Sequence, residues 1–208
     1  RAFGGGDGMV LKYEPLARAV VSLMSEGPVH VVVMSPQGRR WDQSMAKAWS
    51  ERGGHVALIC GRYAGIDHRF TTEYADEEIS LGDFILNGGE LAACAVIESV
   101  VRLRPGVLGN ALSAERDSFS DGYLECPQFT RPQAAGRLPV PSPLLSGNHA
   151  DIAAFEKAVG RIRTALLRPD LLERGAGLQR DTEIVERLND HELQSLGLYR
   201  RDLFTVLG

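Results

Sequence analysis

Residues 80–90, SLGDFILNGGE, place a short apolar run between two glycine turns, and a long apolar segment follows them. Glycine beside a strand weakens the strand unless the backbone must turn sharply or approach another part of the molecule closely. We therefore expect residues 84–86 to form a short strand. We also expect Gly88 and Gly89 to lie where something comes close to the main chain.

Two further apolar runs lie upstream and have the composition of buried strands. Residues 29–34, VHVVVM, are continuous and mostly β-branched, and residues 55–60, HVALIC, form a second run. Each run leads into a turn that contains glycine, SPQG at 35–38 and GRYAGID at 61–67. Helical spacing of apolar residues at 12–25 and 42–52 predicts one helix before the first run and a second helix between the two runs. This alternation predicts an α/β domain with a parallel sheet.

The segment after the opening stretch, residues 90–103, is apolar nearly all round: ELAACAVIESVVRL. A helix of this kind is either buried within its own chain or lies at an interface with another chain. The pattern leaves both possibilities open.

The second half of the chain has a different composition. Residues 110–120 are polar, and residues 127–143 hold five of the ten prolines. Two amphipathic helices are predicted after them, at about 151–167 and 181–196. We therefore predict a domain at 1–109, a linker at 110–120 and a small helical domain at 121–208.

Composition limits the class of protein. The chain of 208 residues is 44% hydrophobic and 24% charged, so it can bury a core, and it has no apolar stretch near the roughly 20 residues that a membrane helix needs. Its three cysteines, Cys60, Cys94 and Cys126, form no CxxC pair, which predicts a reducing, cytoplasmic setting with the thiols as small core residues. The histidines show no ligand spacing, so no metal site built from side chains is predicted.

Charge is unevenly distributed along the chain. The net charge is −4, which argues against a general nucleic-acid coat. Residues 131–180, however, hold eight basic and four acidic residues. Such a region can bind RNA while the chain as a whole stays acidic, or it can be a solvated helix face.

Glycine loops follow all three predicted strands, and ligands of parallel sheets bind beyond the carboxyl ends of strands. The loops match neither a P-loop nor the GxGxxG fingerprint of a dinucleotide-dependent dehydrogenase. We therefore predict a nucleotide or adenosyl ligand gripped by main-chain groups. Glycine loops that merely turn the chain are the alternative.

Seven motifs occur along the chain in this order: FGGGDGM, SPQG, CGRYAGID, ISLGDFILNGGE, PGVLG, DSF and LLSGNHADI. In their order and spacing the sequence resembles the bacterial tRNA (guanine-N1)-methyltransferases, which belong to the trefoil-knotted SPOUT methyltransferases, from residue 1 to about residue 172. The resemblance implies a trefoil-knotted parallel-sheet domain followed by a small helical C-terminal domain that binds tRNA. It implies methyl transfer from S-adenosyl-L-methionine to N1 of the guanosine just 3′ of the anticodon. It also implies an antiparallel homodimer in which the active site is shared between the two chains.

The resemblance assigns roles to individual residues. Asp117, in ERDSF, corresponds to the base that takes the N1 proton, and Arg102, in VRLRPGVLG, to the arginine that stabilises charge on guanine O6. Cofactor contacts are implied for residues in three loops: Met34, Ser35, Pro36, Gly61, Tyr63, Gly65, Ser80, Leu81, Gly82, Asp83, Phe84, Ile85, Leu86, Gly88 and Gly89. Substrate contacts are predicted for glycines of the opening segment and for arginines of the second half: Gly4, Gly5, Gly6, Arg131, Arg161, Arg163 and Arg168. His149 is predicted to start a helix and not to act as a general acid.

The sequence departs from the family pattern at three places. Ala64 stands where the family usually has a glutamate near the methionine end of the cofactor, which leaves the magnesium requirement open. Ala92 stands where proline is common. The family also has a strand and a helix ahead of the point where this sequence begins, and a sheet without that strand would expose an unpaired edge. A module that binds cofactor or tRNA without turnover is therefore the alternative hypothesis, although Asp117 and Arg102 are both present.

Overall fold

The computed structural model describes residues 2–5, 8–109, 116–172 and 177–207. The chain divides into two compact units, residues 1–111 and 112–208. The first unit is built on a three-stranded parallel sheet in the order β2-β1-β3, which confirms the predicted α/β class. Its strands are β1 (Val29–Arg40), β2 (His55–Cys60) and β3 (Glu77–Ser80), and its helices are α1 (Tyr13–Met24), α2 (Gln43–Ser50), α3 (His68–Tyr74) and α4 (Glu90–Val101).

Helices cover both faces of the sheet, which explains the continuous apolar run of β1. Val31 and Val33 are buried in one cluster with residues of α1 and α3. Val32 and Met34 are buried in the other cluster with residues of α2 and α4. Successive side chains of a strand point to opposite faces, so only an uninterrupted apolar run can fill a core on each side.

The third strand is not the one predicted from the sequence. Residues 84–86 form a loop in which Phe84, Ile85 and Leu86 are all exposed, and the strand lies earlier, at Glu77–Ser80. The sequence-based prediction assumed that these three apolar residues are buried. The strand instead buries Ile79 and keeps Glu77 beside His30, whose Nε2 lies 2.5 Å from Glu77 Oε1.

Strand β1 continues past Met34, where a turn was predicted. Met34 and Arg39 both pair with Ile79 of β3, so residues 35–38 form a bulge within one strand. A Cβ atom on Gly38 would lie 2.3 Å from the carbonyl carbon of Glu78. The bulge therefore passes directly against β3 and requires glycine at this position.

The second unit is mainly helical and has its own core. Its helices are α5 (His149–Leu167), α6 (Gln179–Val185), α7 (Asp190–Ser195) and α8 (Arg200–Thr205), with a short antiparallel hairpin of β4 (Ala134–Ala135) and β5 (Leu138–Pro139). Phe155 and Ile162 of α5 pack in one buried cluster with Leu193 of α7 and Leu203 of α8.

The prediction of a single helix at 181–196 is wrong, because the structure has two helices there. Asn189 begins the second one: its side chain accepts from the Glu192 amide at 3.0 Å, and the Glu192 carboxylate accepts from the Asn189 amide at 3.0 Å. This reciprocal capping box starts a new helix and interrupts the amphipathic pattern.

Candidate functional site

A cleft of about 620 Å³ opens at the carboxyl ends of all three strands. Small-molecule sites commonly enclose roughly 300–1,000 Å³. The cleft is bordered by the β1 bulge, by the loop after β2 and by the segment between β3 and α4. It lies at the carboxyl-terminal ends of the strands, where the sequence predicted a ligand.

The cleft brings together all of the residues predicted to contact the cofactor, apart from Asp83. Both positions at which the sequence departs from the family, Ala64 and Ala92, also line it. Further lining residues that the sequence did not single out include Gln37, Arg62, Ile66 and Asn87.

The end of β2 is what approaches the glycines of the opening stretch. The Gly89 amide donates to the Gly61 carbonyl at 3.0 Å. A Cβ atom on Gly89 would lie 2.9 Å from Cys60 Cα and 3.1 Å from Met34 Cβ. Its φ of −78° is ordinary, so the position requires the absence of a side chain and no unusual backbone angle. The start of α4 can therefore lie directly on the ends of β1 and β2.

The segment between β3 and α4 crosses the end of the sheet. Strands β2 and β3 flank β1 on opposite sides. Gly88, which follows β3 in the chain, nevertheless pairs with Arg62, just after β2. Residues 81–89 therefore run from one edge strand to the end of the other.

Positive φ angles occur in two of the segments that line the cleft. Tyr63 has φ of 61° and its side chain is exposed, a conformation that is rare for a bulky residue. Gly82 has φ of 152°, and its amide donates to Ser80 Oγ at 3.1 Å. Glycine adopts positive φ readily, so only the Tyr63 conformation is strained. Strain at a residue other than glycine clusters at binding sites, which supports a functional role for the cleft.

The glycine-rich opening of the chain leads into the loop after β2. The Ala64 amide donates to the Met9 carbonyl at 2.9 Å, and the Leu11 amide donates to the Gly65 carbonyl at 2.9 Å. A Cβ atom on Gly8 would lie 3.7 Å from the Ala64 side chain.

The predicted substrate-contacting glycines precede this pairing. Gly4 and Gly5 are exposed and have positive φ, whereas Gly6 lies outside the described residues. The structure therefore places two of the three on the surface of the opening segment, and the short pairing with 64–65 connects that segment to the cleft.

An ion pair that the sequence did not reveal joins the loop after β2 to the first residue of α4. Arg62 Nε donates to Glu90 Oε1 at 2.8 Å. The Glu90 backbone amide, and after it Arg62, hold the pKa of the Glu90 carboxyl below its ordinary value. An arginine within one glycine loop and a glutamate directly after another were the signals that could have predicted this pair.

The three cysteines differ in burial. Burial raises the pKa of the Cys60 thiol, and it raises the pKa of the Cys126 thiol to about 12, so neither is activated as a nucleophile. Cys94 is exposed on α4, so the expectation that all three are core residues is wrong for this one.

The two residues assigned to catalysis by resemblance lie in different units. Arg102 follows α4 in the first unit, is half-buried, and its amide donates to the Glu98 carbonyl at 3.1 Å. Asp117 belongs to the second unit, where it is half-buried at the start of a turn in which its carbonyl accepts from the Ser120 amide at 3.1 Å.

Two of the arginines predicted to contact RNA are engaged within the second unit. Arg161 pairs with Asp181 at 3.2 Å, and its guanidinium lies over the Tyr123 ring at 5.5 Å from the ring centroid. Arg163 Nη1 donates to the Leu196 carbonyl. Both side chains are half-buried, so much of their surface is used inside the unit.

The other two predicted RNA contacts and the candidate helix-start residue are exposed. Arg168 pairs with Asp170 at 2.7 Å, and Arg131 lies in the proline-rich segment. His149 is the first residue of α5, where Asn148 caps the helix by accepting from the Ala150 amide at 3.1 Å. These contacts agree with the structural role predicted for His149.

Within the described ranges, no group of three or more histidine, cysteine, aspartate or glutamate side chains is arranged to hold a metal ion. Among the helices of those same ranges, none combines the length and the apolar character needed to span a bilayer.

Comparison with known proteins gives a consistent assignment. The model of the family described as tRNA (Guanine-1)-methyltransferase TrmD matches residues 1–174. A tRNA (guanine-N(1)-)-methyltransferase of Staphylococcus haemolyticus is 47% identical over 184 residues, which cover 88% of this chain and 75% of that protein. Its counterpart in Hahella chejuensis is 46% identical over 197 residues (94% and 76%), and that of Geobacter sulfurreducens is 49% identical over 175 residues (83% and 70%). The chain therefore belongs to the tRNA (guanine-1)-methyltransferase TrmD family.

Proposed function

We propose that this chain transfers the methyl group of S-adenosyl-L-methionine to N1 of the guanosine just 3′ of the anticodon in tRNA. The observation that carries the proposal is the cleft at the strand ends, bordered by three glycine-bearing segments, in a chain of this methyltransferase family. The names of the similar proteins specify both tRNA and guanine N1.

The residues of the cleft fit an adenosyl ligand. Gly61 and Gly65 line the cleft without side chains that would fill it, and the exposed side chains of Phe84, Ile85 and Leu86 offer apolar surface for a purine ring. When bound, the cofactor would supply an activated methyl group, whose bond to the sulfonium sulfur would break in the transfer and leave the electron pair on the sulfur of the departing thioether. A Cβ atom on Gly82 would lie 3.1 Å from the Phe84 ring, so a larger residue at position 82 would crowd this wall.

Two side chains would promote the reaction on the guanine. Guanine N1 carries a proton and is a poor nucleophile until that proton leaves. Asp117 would accept it, which frees the nitrogen lone pair to form the new N–C bond; a positioned base contributes about 10²–10⁴-fold. Arg102 would donate to guanine O6, where negative charge develops as the proton leaves.

Two structural features support the finer parts of the proposal. The segment that crosses from β3 to the end of β2 has the path expected of a chain tied into a trefoil knot. Helix α4 buries Ala92, Ala93 and Val96 but leaves Leu91 70% exposed, so its apolar pattern is only partly used within the chain. We propose that this outer face packs against a second copy, and that Asp117 of one copy serves the cleft of the other.

The proposed domains follow from the same assignment. Residues 1–109 would form the knotted cofactor-binding domain, residues 110–120 the linker, and residues 121–208 the helical tRNA-binding domain. The linker residues 110–115 lie outside the described residues.

The proposal is tested by methyl transfer from labelled S-adenosyl-L-methionine to unmodified tRNA. We expect N1-methylguanosine from a tRNA with guanosine 3′ of the anticodon, and none from a matched tRNA with adenosine there. Asp117→Asn should reduce transfer by about 100-fold or more while cofactor affinity stays within a factor of two. Transfer to a different atom or nucleotide would overturn the proposal, and binding of both ligands without any transfer would favour the binding module.

A further inference from the structure

We infer that Arg161 and Arg168 are positioning residues that hold the loop carrying Asp117 against α5, and that their main role is not to bind RNA. The Asp117 loop is defined here as residues 117–125. The inference rests on the proposed function, in which Asp117 is the base.

The Asp117 loop is a closed turn. The Phe119 amide donates to the Tyr123 carbonyl at 2.6 Å, and the Ser120 amide donates to the Asp117 carbonyl at 3.1 Å. Phe119 has φ of 73°, which is rare for an aromatic residue and persists only where surrounding contacts hold it. The position of Asp117 therefore depends on what holds the two aromatic residues of the turn.

An arginine lies over each of these two aromatic rings. The Arg161 guanidinium carbon is 5.5 Å from the Tyr123 ring centroid, and that of Arg168 is 5.8 Å from the Phe119 ring centroid. Both distances fall within the range of a cation–π contact. Arg161 lies within α5 and Arg168 directly follows it, seven residues later and so about two turns along the same side.

The end of the loop is seated on the same side of α5. The Leu124 amide donates to Thr164 Oγ1 at 2.8 Å, and the buried Thr164 hydroxyl donates to the Gly160 carbonyl at 2.7 Å. A Cβ atom on Gly160 would lie 2.4 Å from the Leu124 carbonyl oxygen. Gly160, Arg161, Thr164 and Arg168 thus form a continuous strip that receives the loop.

Contacts from α6 fix Arg161 in this arrangement. Asp181 pairs with it at 3.2 Å, and the side chain of Arg161 is only 21% exposed. Burial raises the pKa of the Asp181 carboxyl, while Arg161 opposes that change. Because Arg161 lies between a carboxylate and an aromatic ring, it presents little of its guanidinium to a phosphate, in contrast to the exposed Arg131.

The strip therefore contributes to the reaction through Asp117. A general base must lie within hydrogen-bond reach of the proton that it removes. A displacement of about 1 Å can reduce a rate by about 10²-fold. Loss of either aromatic contact should lower the methyl-transfer step and leave the affinity for tRNA unchanged.

The test compares ring-removing with ring-retaining variants in single-turnover methyl transfer at saturating tRNA and cofactor. Tyr123→Leu and Phe119→Leu should lower the rate constant by about tenfold or more, whereas Tyr123→Phe and Phe119→Tyr should keep it near the wild-type value. Arg168→Gln should behave like Phe119→Leu. Tyr123→Leu probes the Arg161 contact without leaving the buried Asp181 unpaired, as an Arg161 variant would.

Two further measurements separate positioning from RNA binding. In Tyr123→Leu the amides of the Asp117 loop should exchange with solvent at least tenfold faster, while those of Phe155–Ile162 in α5 keep their protection. The affinity for tRNA and the salt dependence of that affinity should be unchanged in Arg168→Gln. Both should fall in Arg131→Gln, the variant of the exposed arginine predicted to contact RNA.

Several results would overturn the inference. Weaker tRNA binding with a shallower salt dependence in Arg168→Gln, at an unchanged saturating rate, would make Arg168 a phosphate contact. Unchanged exchange of the loop amides in Tyr123→Leu would show that the ring does not hold the loop. Asp117→Asn is the reference variant. A wild-type rate in Asp117→Asn would refute the assignment of Asp117 as the base. If Asp117→Asn is inactive and the ring-removing variants are fully active, only the inference about the arginines is refuted.

Discussion

The cleft of the first unit owes its shape largely to main chain, whereas the α5 strip of the second unit is formed chiefly by side chains. At the cleft, Gly38 and Gly89 let one backbone segment lie on another. At the strip, arginine, threonine and aromatic side chains hold a turn in place. The comparison shows why the glycine motifs located the cleft, whereas the sequence left the role of the arginines open. A close backbone approach tolerates only glycine, whereas an arginine in a sequence is equally compatible with a phosphate and with an aromatic ring.

The strip has one glycine contact of its own, and this allows the two regions to be compared with the same substitution. Glycine-to-alanine variants show whether close backbone approach limits both regions, and variants of charged positions show whether a carboxylate acts in each unit as its contacts indicate.

The largest effect is expected for Gly38→Ala. The new Cβ would lie 2.3 Å from the Glu78 carbonyl carbon and 2.4 Å from the Ile79 amide nitrogen, so β1 and β3 would have to separate. We expect a loss of roughly 3 kcal/mol or more in the free energy of unfolding, measured by urea denaturation. Gly53→Ala is the control, because no described heavy atom lies within 4 Å of its added Cβ; it should change stability by less than about 0.5 kcal/mol. Equal stability of the two variants would contradict the close approach.

A somewhat smaller effect is expected for Gly160→Ala. Alanine in a helix is favoured over glycine by about 0.5–1 kcal/mol. Here the added Cβ would lie 2.4 Å from the Leu124 carbonyl oxygen, which should reverse that preference and give a net loss of about 1–3 kcal/mol. Methyl transfer should fall as well, because the Asp117 loop is displaced. Gly177→Ala, whose Cβ would meet no described atom within 4 Å, serves as the control, and a stabilised Gly160→Ala would argue against the seating of the loop on α5.

A moderate effect is expected for Ala64→Glu. Ala64 is exposed and lines the cleft, and a carboxylate is a preferred ligand of Mg²⁺. We expect magnesium to raise the methyl-transfer rate of Ala64→Glu by a few-fold more than it raises that of the unaltered chain. Ala64→Gln has nearly the same size without the charge and should respond as the unaltered chain does. An identical magnesium response of the Glu and Gln variants would refute a role for this position in metal use.

The smallest effect is expected for Glu192→Gln. Burial alone would raise the pKa of Glu192, but the amides of Asn189 and Ser142 outweigh it and hold this pKa below its ordinary value of 4.5. A lowered carboxyl pKa in the folded state stabilises the fold above the ordinary pKa, and this stabilisation is lost as the pH falls through the folded-state pKa. The variant should therefore be less stable than the unaltered chain by about 1 kcal/mol at pH 7.

The difference in the free energy of unfolding between Glu192→Gln and the unaltered chain should decrease steadily once the pH falls below about 4.5. Denaturation curves at a series of pH values measure it, and the exposed Glu183→Gln is the control. A difference that stays constant with pH would show that the charge of Glu192 does not stabilise the capping box.

Much of the first unit could be predicted from local patterns. The runs VHVVVM and HVALIC are strands because β-branched residues fill a core on each side of the sheet, and the apolar segment after Gly89 is α4. The third strand could not be predicted in this way. Its half-buried glutamates look like surface residues, whereas Phe84–Leu86 look like core residues but are exposed at the cleft.

The second unit was harder to predict, because its decisive contacts join residues far apart in the chain. Asn189 and Glu192 carry a local capping signal that could have divided the helix predicted at 181–196. In contrast, the residues next to Arg161 in the sequence do not indicate that its side chain lies between Tyr123 and Asp181.

The sequence by itself determined the α/β class, the family, and the location of the cleft at the carboxyl-terminal ends of the strands. It could do so because strand composition and glycine loops are local requirements of the backbone. Only the tertiary structure decided which backbone approaches Gly89, which segment forms the third strand, and which arginines are engaged inside the second unit. These outcomes depend on distances between residues remote in the chain, and the energy of a close approach or an ion pair exists only once the fold has brought both partners together.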